Sequence, residues 1–191
     1  MPFADELSVD GVSVLPYQAS WASQATQLIG ELERLVPGVV AVEHIGSTSI
    51  PGMAAKPCID LMIVVPDLQR SSVEPSLAGA GFRRRPEPWN NNEPAEGRDW
   101  PKMVFAPPVG GPNCNIHVRV DGAATTRLAR LFRDYLIANP DKVAIWSDFK
   151  RAVADVAPDL ASYGQIKAPA WALLMECANE WAKETGYPPL S

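Results

Sequence analysis

Glu43-His44-Ile45-Gly46-Ser47-Thr48-Ser49-Ile50-Pro51-Gly52, followed by Lys56-Pro57-Cys58-Ile59-Asp60, sets the architecture of this 191-residue chain. Val39 to Ile45 is a β-rich run, and Cys58 to Val65 is a second run of strand length, closed by Pro66. A strand that enters Gly-Ser frees the backbone to approach a ligand closely. The N–H groups there, with the hydroxyls of Ser47, Thr48 and Ser49, suit a phosphate. The next strand carries Asp60 to the same mouth. A carboxylate beside a phosphate cradle suits a divalent metal that bridges protein and substrate oxygens. Taken alone, a turn of this composition is as readily just a turn.

Alternation along the strands adds to this. Cys58, Asp60 and Met62 share one face, and Ile59, Leu61 and Ile63 the other. In Asn115 to Val120, the polar stripe Asn115, His117 and Arg119 backs onto Ile116, Val118 and Val120. That stripe is either a solvated sheet face or the lining of the pocket that holds Asp60.

Working outward, Trp21, Ala25, Leu28, Ile29, Leu32 and Leu35 recur at helical spacing and predict a helix over 20–35, stopped by Pro37-Gly38. Residues 1–10 read as a loose arm and Val12 to Leu15 as a short strand. Asp67 caps a short helix running to about Ala80, and Phe82 to Arg84 begins a strand. Residues 85–101 carry four prolines and three successive asparagines and read as a long loop. Met103 to Ala106 and Asn115 to Val120 pair as an antiparallel hairpin with a wide connection. Helical patterns then follow over Leu128–Leu136, Val143–Val156 and Ala170–Ala182. The expectation is a single domain over 1–191, with a mixed β/α part (1–122) and a helical part (123–191).

Composition narrows the function. The chain is 47% hydrophobic and 20% charged, enough for a substantial core. Lys and Arg total 17 against 22 Asp and Glu, a net charge of −5, which argues against a duplex nucleic acid partner. Arg83-Arg84-Arg85 is a short local basic cluster, and a small anion held by local donors remains compatible with the balance. No apolar run approaches the roughly 20 residues of a membrane span, and the opening MPFADELSVDG has no secretory pattern. Cys58, Cys114 and Cys177 lack CxxC spacing and read as reduced thiols, so a cytoplasmic setting is expected. No protein partner can be read from the sequence.

Tyr17-x-x-x-Trp21, the Glu43–Gly52 and Lys56–Asp60 stretches, Asn115-x-His117-Val118, Phe132-Arg133-Asp134-Tyr135-Leu136 and Tyr163-x-x-x-Lys167 together resemble the GrpB family, over about residues 12–170. Members of that family look like nucleotidyltransferase-fold proteins. The resemblance implies an α+β fold: a nucleotidyltransferase-like mixed β-sheet with helices packed on it and a helical C-terminal third. A related domain occurs fused to dephospho-CoA kinase. The 191 residues here contain no GxxxxGK followed by Ser or Thr, so no kinase part is expected.

In that fold a Gly-Ser turn holds nucleotide phosphates, and three acids on two strands hold two metal ions. Gly46, Ser47 and Asp60 match. Met62 stands where the second acid belongs, and the strand for the third offers His117. A thioether is a poor magnesium ligand. One Mg²⁺ or Mn²⁺ held by Asp60 with His117, or none, fits better than two. The function implied is binding of a nucleotide or other phosphorylated small molecule, with metal-assisted nucleotidyl transfer to a small acceptor if the protein is catalytic. Asp60 and His117 are then the catalytic pair, and Gly46, Ser47, Thr48, Ser49, Lys56, Asn115, Arg119, Tyr163 and Lys167 the binding set. The alternative is a non-catalytic ligand-sensing or protein-interaction module that keeps the fold without the full carboxylate set.

Several residues carry a plainer reading. Lys56 is equally a surface lysine at a loop end. His44 is expected to hydrogen-bond a neighbouring loop, and Arg133 to pair with Asp134 or Glu43. Tyr163 and Lys167, four apart, share a helix face and either clamp a ligand or pin the helices to the sheet. Trp21, Trp146, Trp171 and Trp181 belong to apolar helix faces. Trp89 and Trp100 either stack on a base or anchor the loop they sit in.

Overall fold

The computed structural model of the chain describes residues 11–188 together with Phe3 and Asp5. Apart from those two residues, the loose arm expected over 1–10 lies outside the described residues. In chain order the elements are α1 (Ser20–Leu35), β1 (Ala41–Ile45), β2 (Ile59–Val65), α2 (Val73–Gly79), β3 (Arg83–Arg84), β4 (Asn92–Ala95), β5 (Arg98–Pro101), β6 (Met103–Ala106), β7 (Cys114–Val120), α3 (Ala124–Ala138), α4 (Pro140–Val156) and α5 (Leu160–Thr185), with single 3-10 turns at Ser47–Ser49 and Pro88–Asn90.

Five strands form one mixed sheet in the order β1-β2-β7-β6-β3, and β4-β5 form a separate hairpin. Within the five-stranded sheet β2 and β7 run parallel, and the other pairs are antiparallel. The register sets Asp60 beside Asn115, Met62 beside His117, and Val64 beside Arg119. The sheet and its helices make an α+β fold, as expected.

Burial explains the two faces. Ile59, Leu61, Ile63, Cys114, Ile116 and Val118 pack against Trp21, Ala25, Leu28 and Leu32 of α1 and against Val73 and Leu77 of α2. This is the main core, and it uses the apolar side of each strand. On the opposite face Ile45, Met62 and Val64 form a small cluster that meets Ala129 of α3. The helical third has its own core, in which Leu131, Phe132, Leu136, Trp146, Met175 and Ala178 enclose Ile50 and Met53 from the loop after the Gly-Ser turn. The Ala54 N–H donates to Ser147 Oγ of α4 at 3.0 Å. That stitching makes the C-terminal helices flank the mouth at Gly46.

The structure corrects four expectations. The stretch 85–101 is not a plain loop: β4 and β5 pair across Glu96 and Gly97, both at positive φ (53° and 75°), a pattern of the I′ turn that suits the twist of a hairpin. Asp67 closes a turn through Gln69 N–H at 2.8 Å, and α2 begins only at Val73. Val12 to Leu15 contributes a single bridge, Leu15 to Ala55. The last helix begins at Leu160, where Asp159 accepts from Ser162 N–H at 2.7 Å, and continues through Pro169. Proline costs a helix one hydrogen bond. Here both flanks are anchored, Tyr163 against Val153 and Ala157, and Met175, Ala178 and Ala182 in the helical core. Among the described residues no helix is long and apolar enough to cross a membrane.

Candidate anion-binding site

β1 delivers the chain into Gly46, whose φ is 70°. A Cβ at this position would stand 2.7 Å from Asp60 Oδ2, so only glycine lets the two strand ends close on each other. Ser49 Oγ donates to Gly46 O at 2.7 Å, and Thr48 Oγ1 lies 2.9 Å from His44 Nε2. Thr48 is buried. Thr48 and Ser49 therefore hold the turn in shape. His44 does bond the neighbouring loop, and burial pulls its pKa down to about 4, leaving it neutral near pH 7.

Ser47 points the other way. Its Oγ accepts from Lys150 Nζ of α4 at 3.0 Å. Lys150 is only 2% exposed. Burial pulls its ammonium down to about 7, and the charges of Lys167 and Arg151 add to the pull. Lys56 and Lys167 both lie against the Tyr163 ring, their Nζ atoms 5.7 and 5.8 Å from its centroid. Burial and the charge of Lys56 lower the pKa of Lys167, against the pull of Asp60. Among the described residues, none of these three lysines has a carboxylate within 4.0 Å.

Asp60 is the acid whose charge reaches Lys56 and Lys167, and its partners fix it. Asn115 Nδ2 donates to Oδ1 at 3.0 Å, and His117 Nε2 lies 3.6 Å from the same oxygen. Arg85 orients the Asn115 amide by donating to its Oδ1 at 2.8 Å. Burial alone would raise the Asp60 pKa, but the contacts from His117 and Asn115 and the charge of Lys56 hold it at about 2. Burial lowers the pKa of His117, aided by Arg119 and Lys102. His117 Nδ1 is buried without a partner among the described residues.

The far end of the polar stripe is occupied. Arg119 is 5% exposed and donates to Glu93 Oε2 through Nε (3.1 Å) and Nη2 (2.8 Å). Lys102 approaches the same carboxylate at 3.4 Å. The β4-β5 hairpin supplies Glu93, which is why a stretch read as loop conceals a residue expected to face a phosphate. Arg119 Nη1 also meets Met62 Sδ at 3.6 Å, and Met62 is fully buried. The place of a second acid is therefore filled by a thioether with a guanidinium against it. Among the described residues no group of three His, Cys, Asp or Glu is placed to hold a metal. A pair of metal ions does not fit these residues.

The structure thus gathers Gly46, Ser47, Lys56, Asp60, Asn115, His117, Tyr163 and Lys167 at one mouth, puts Thr48 and Ser49 behind it, and puts Arg119 under the hairpin. It adds Lys150, which the sequence reading missed. The signal was available: Val143, Trp146, Lys150 and Val153 share one helix face, so a lysine stands in an apolar stripe. Arg133 pairs with both Asp134 (2.7 Å) and Glu43 (3.2 Å). Trp21 and Trp146 are core residues, and Trp171 and Trp181 pack against the helical core. Trp89 is 61% exposed. Trp100 anchors the hairpin, donating to Ala95 O at 3.1 Å beneath the Arg98 guanidinium. A pocket of about 350 Å³ lined by Leu28, Phe82, Pro107 and Cys114 opens on the opposite side of the sheet from Asp60.

A family model described as GrpB protein matches residues 11–176. A dephospho-CoA kinase of Mycolicibacterium paratuberculosis is 31% identical across 99% of this chain and 52% of its own length. The chain thus spans about half of that relative. A protein of Streptomyces coelicolor named UPF0157 protein SCO7215 is 31% identical over 82% of this chain and 78% of its own length. The crystal structure of conserved protein GrpB from Enterococcus faecalis superimposes with a TM-score of 0.71 at 24% identity, covering 91% of this chain and 99% of that one. The chain belongs to the GrpB family.

Proposed function

We propose that this GrpB-family chain binds the phosphate groups of a nucleotide or another phosphorylated small molecule, seated on Ser47 and held by Lys56, Lys150 and Lys167. The observation that carries this reading is Lys150. A 2%-exposed ammonium is expensive to bury, and proteins ordinarily offset it with a carboxylate. Here its partner is a neutral hydroxyl. An incoming phosphate supplies the missing negative charge and accepts charge-assisted hydrogen bonds. Lys56 and Lys167, both against the Tyr163 ring, bring two more ammoniums to the same mouth.

The Asp60–His117 pair is the feature that metal-assisted nucleotidyl transfer would use. Buried Met62, with Arg119 against it, favours the other reading, a ligand-binding module without two-metal chemistry. Titration calorimetry with AMP, ADP, ATP and pyrophosphate, run beside an assay for pyrophosphate release, tests both. The expected result is micromolar binding of the ligands with two or more phosphates. Lys56→Met or Lys167→Met should each weaken it about tenfold, the worth of one charged hydrogen bond. Heat signals absent for all four ligands overturn the proposal, and pyrophosphate release from ATP favours transfer over the module.

A further inference from the structure

Resting on the phosphate reading above, we infer that this site takes a metal-free polyphosphate, a di- or triphosphate chain, with the lysines standing where divalent ions would otherwise neutralise it. Three features of the geometry point this way. The first is charge. Three ammoniums (Lys56, Lys150 and Lys167) face the mouth against the carboxylate of Asp60. The excess matches the several charges of a polyphosphate rather than a single phosphate ester.

The second is the state of Asp60. Its Oδ1 is already approached by Asn115 Nδ2 at 3.0 Å and His117 Nε2 at 3.6 Å. Its Oδ2 packs so closely on Gly46 that a Cβ there would come within 2.7 Å. A carboxylate committed in this way shapes the turn. A metal would have to displace those donors. The third is the neighbourhood. Beyond Asp60 the same sheet face presents fully buried Met62, then Arg119 and Lys102 sharing the carboxylate of Glu93. A second divalent ion there would meet two cations and a thioether, and hard ions take neither.

If Asp60 serves the turn and not a metal, its charge opposes the ligand. The test is calorimetric titration of inorganic tripolyphosphate into the unaltered protein and Asp60→Asn, each with a chelator and with excess Mg²⁺. Binding is expected in chelator. Excess Mg²⁺ is expected to weaken it about tenfold, because the ion neutralises the ligand, and Asp60→Asn, which keeps the shape of the side chain, is expected to tighten it several-fold. Binding that requires Mg²⁺ overturns this inference and leaves the phosphate reading standing. The unaltered protein decides that point even if the variant folds poorly. A folded Asp60→Asn that loses affinity also overturns the inference. No binding in either condition removes the phosphate reading and this inference with it.

Discussion

Two charged regions flank the Gly46-Ser47 turn, and the protein treats them in opposite ways. On the side of α3, the two guanidiniums that reach β1, those of Arg130 and Arg133, meet carboxylates. Arg130 and Arg133 share Glu43, and Arg133 also grips Asp134. Arg133 further donates to His44 O at 3.1 Å, which ties α3 to β1. On the side of α4 and α5, Lys56, Lys150 and Lys167 have no carboxylate within 4.0 Å among the described residues. Planar guanidinium forks with bidentate partners suit permanent structural ties. Compact ammoniums left without a counter-charge suit a ligand that arrives and leaves. On the proposed reading, the difference separates the groups that build the turn from those that receive a ligand in it.

Removing Glu43 tests the first half of that contrast and should produce the largest loss of stability. Glu43→Ala leaves Arg130 and Arg133 facing each other around the empty carboxylate site. Glu43 is 19% exposed at its side chain, which tempers the cost. A loss of about 2 kcal/mol is expected, seen as a fall of roughly 4–8 °C in Tm for a domain of this size. Tripolyphosphate affinity at saturating folding should stay within about twofold, since ΔΔG values at sites without shared partners add. A variant as stable as the unaltered chain would erase the contrast.

A smaller, sharper test is the pH dependence of binding. The buried Lys150 ammonium is held at about 7, well below its ordinary 10.5. Only the protonated form attracts phosphate, and a bound phosphate favours that form. Affinity for tripolyphosphate should therefore fall as pH rises above about 7, by up to about tenfold per pH unit, with proton uptake on binding. The stability of the empty protein moves the other way. Between about 7 and 10.5 the unfolded chain holds more protons at this lysine than the folded one, so its contribution becomes more favourable as pH rises. Calorimetry in buffers of differing ionisation enthalpy measures the proton uptake, and an affinity that does not change across that range contradicts the assignment.

Much of the architecture was legible because it rests on alternation. The strands around Gly46-Ser47, the shared face of Asn115, His117 and Arg119, and the apolar side of β2 and β7 all follow from a period of two, whereas the register that sets Asp60 beside Asn115 does not. The α3 and α4 patterns follow from a period near 3.6. What was not legible depends on partners distant in sequence. The β4-β5 hairpin lies in a proline- and asparagine-rich stretch whose local composition reads as loop, and its Glu96-Gly97 turn is too short a signal to outweigh that. Arg119 could be placed on the right face, but its partner Glu93 comes from that unrecognised hairpin. The helical pattern over Ala170–Ala182 starts just after Pro169, whereas packing on both flanks carries α5 through that proline. Lys150 hid in an apolar helix stripe, and its role depends on Ser47, 103 residues away.

The most direct test of the central claim is the melting temperature of the unaltered protein and of Lys150→Met, each with and without tripolyphosphate, near pH 7. If Lys150 is a buried charge kept for a ligand, replacing it with an apolar side chain of similar length should stabilise the empty protein by about 1–4 kcal/mol, at roughly 2–4 °C per kcal/mol. The same change should remove the shift that tripolyphosphate gives the unaltered protein, since only a ligand that binds the native state raises Tm. A more stable variant that no longer responds to tripolyphosphate is the predicted result. A less stable variant, or one whose Tm still rises with tripolyphosphate as the unaltered protein's does, would contradict the account.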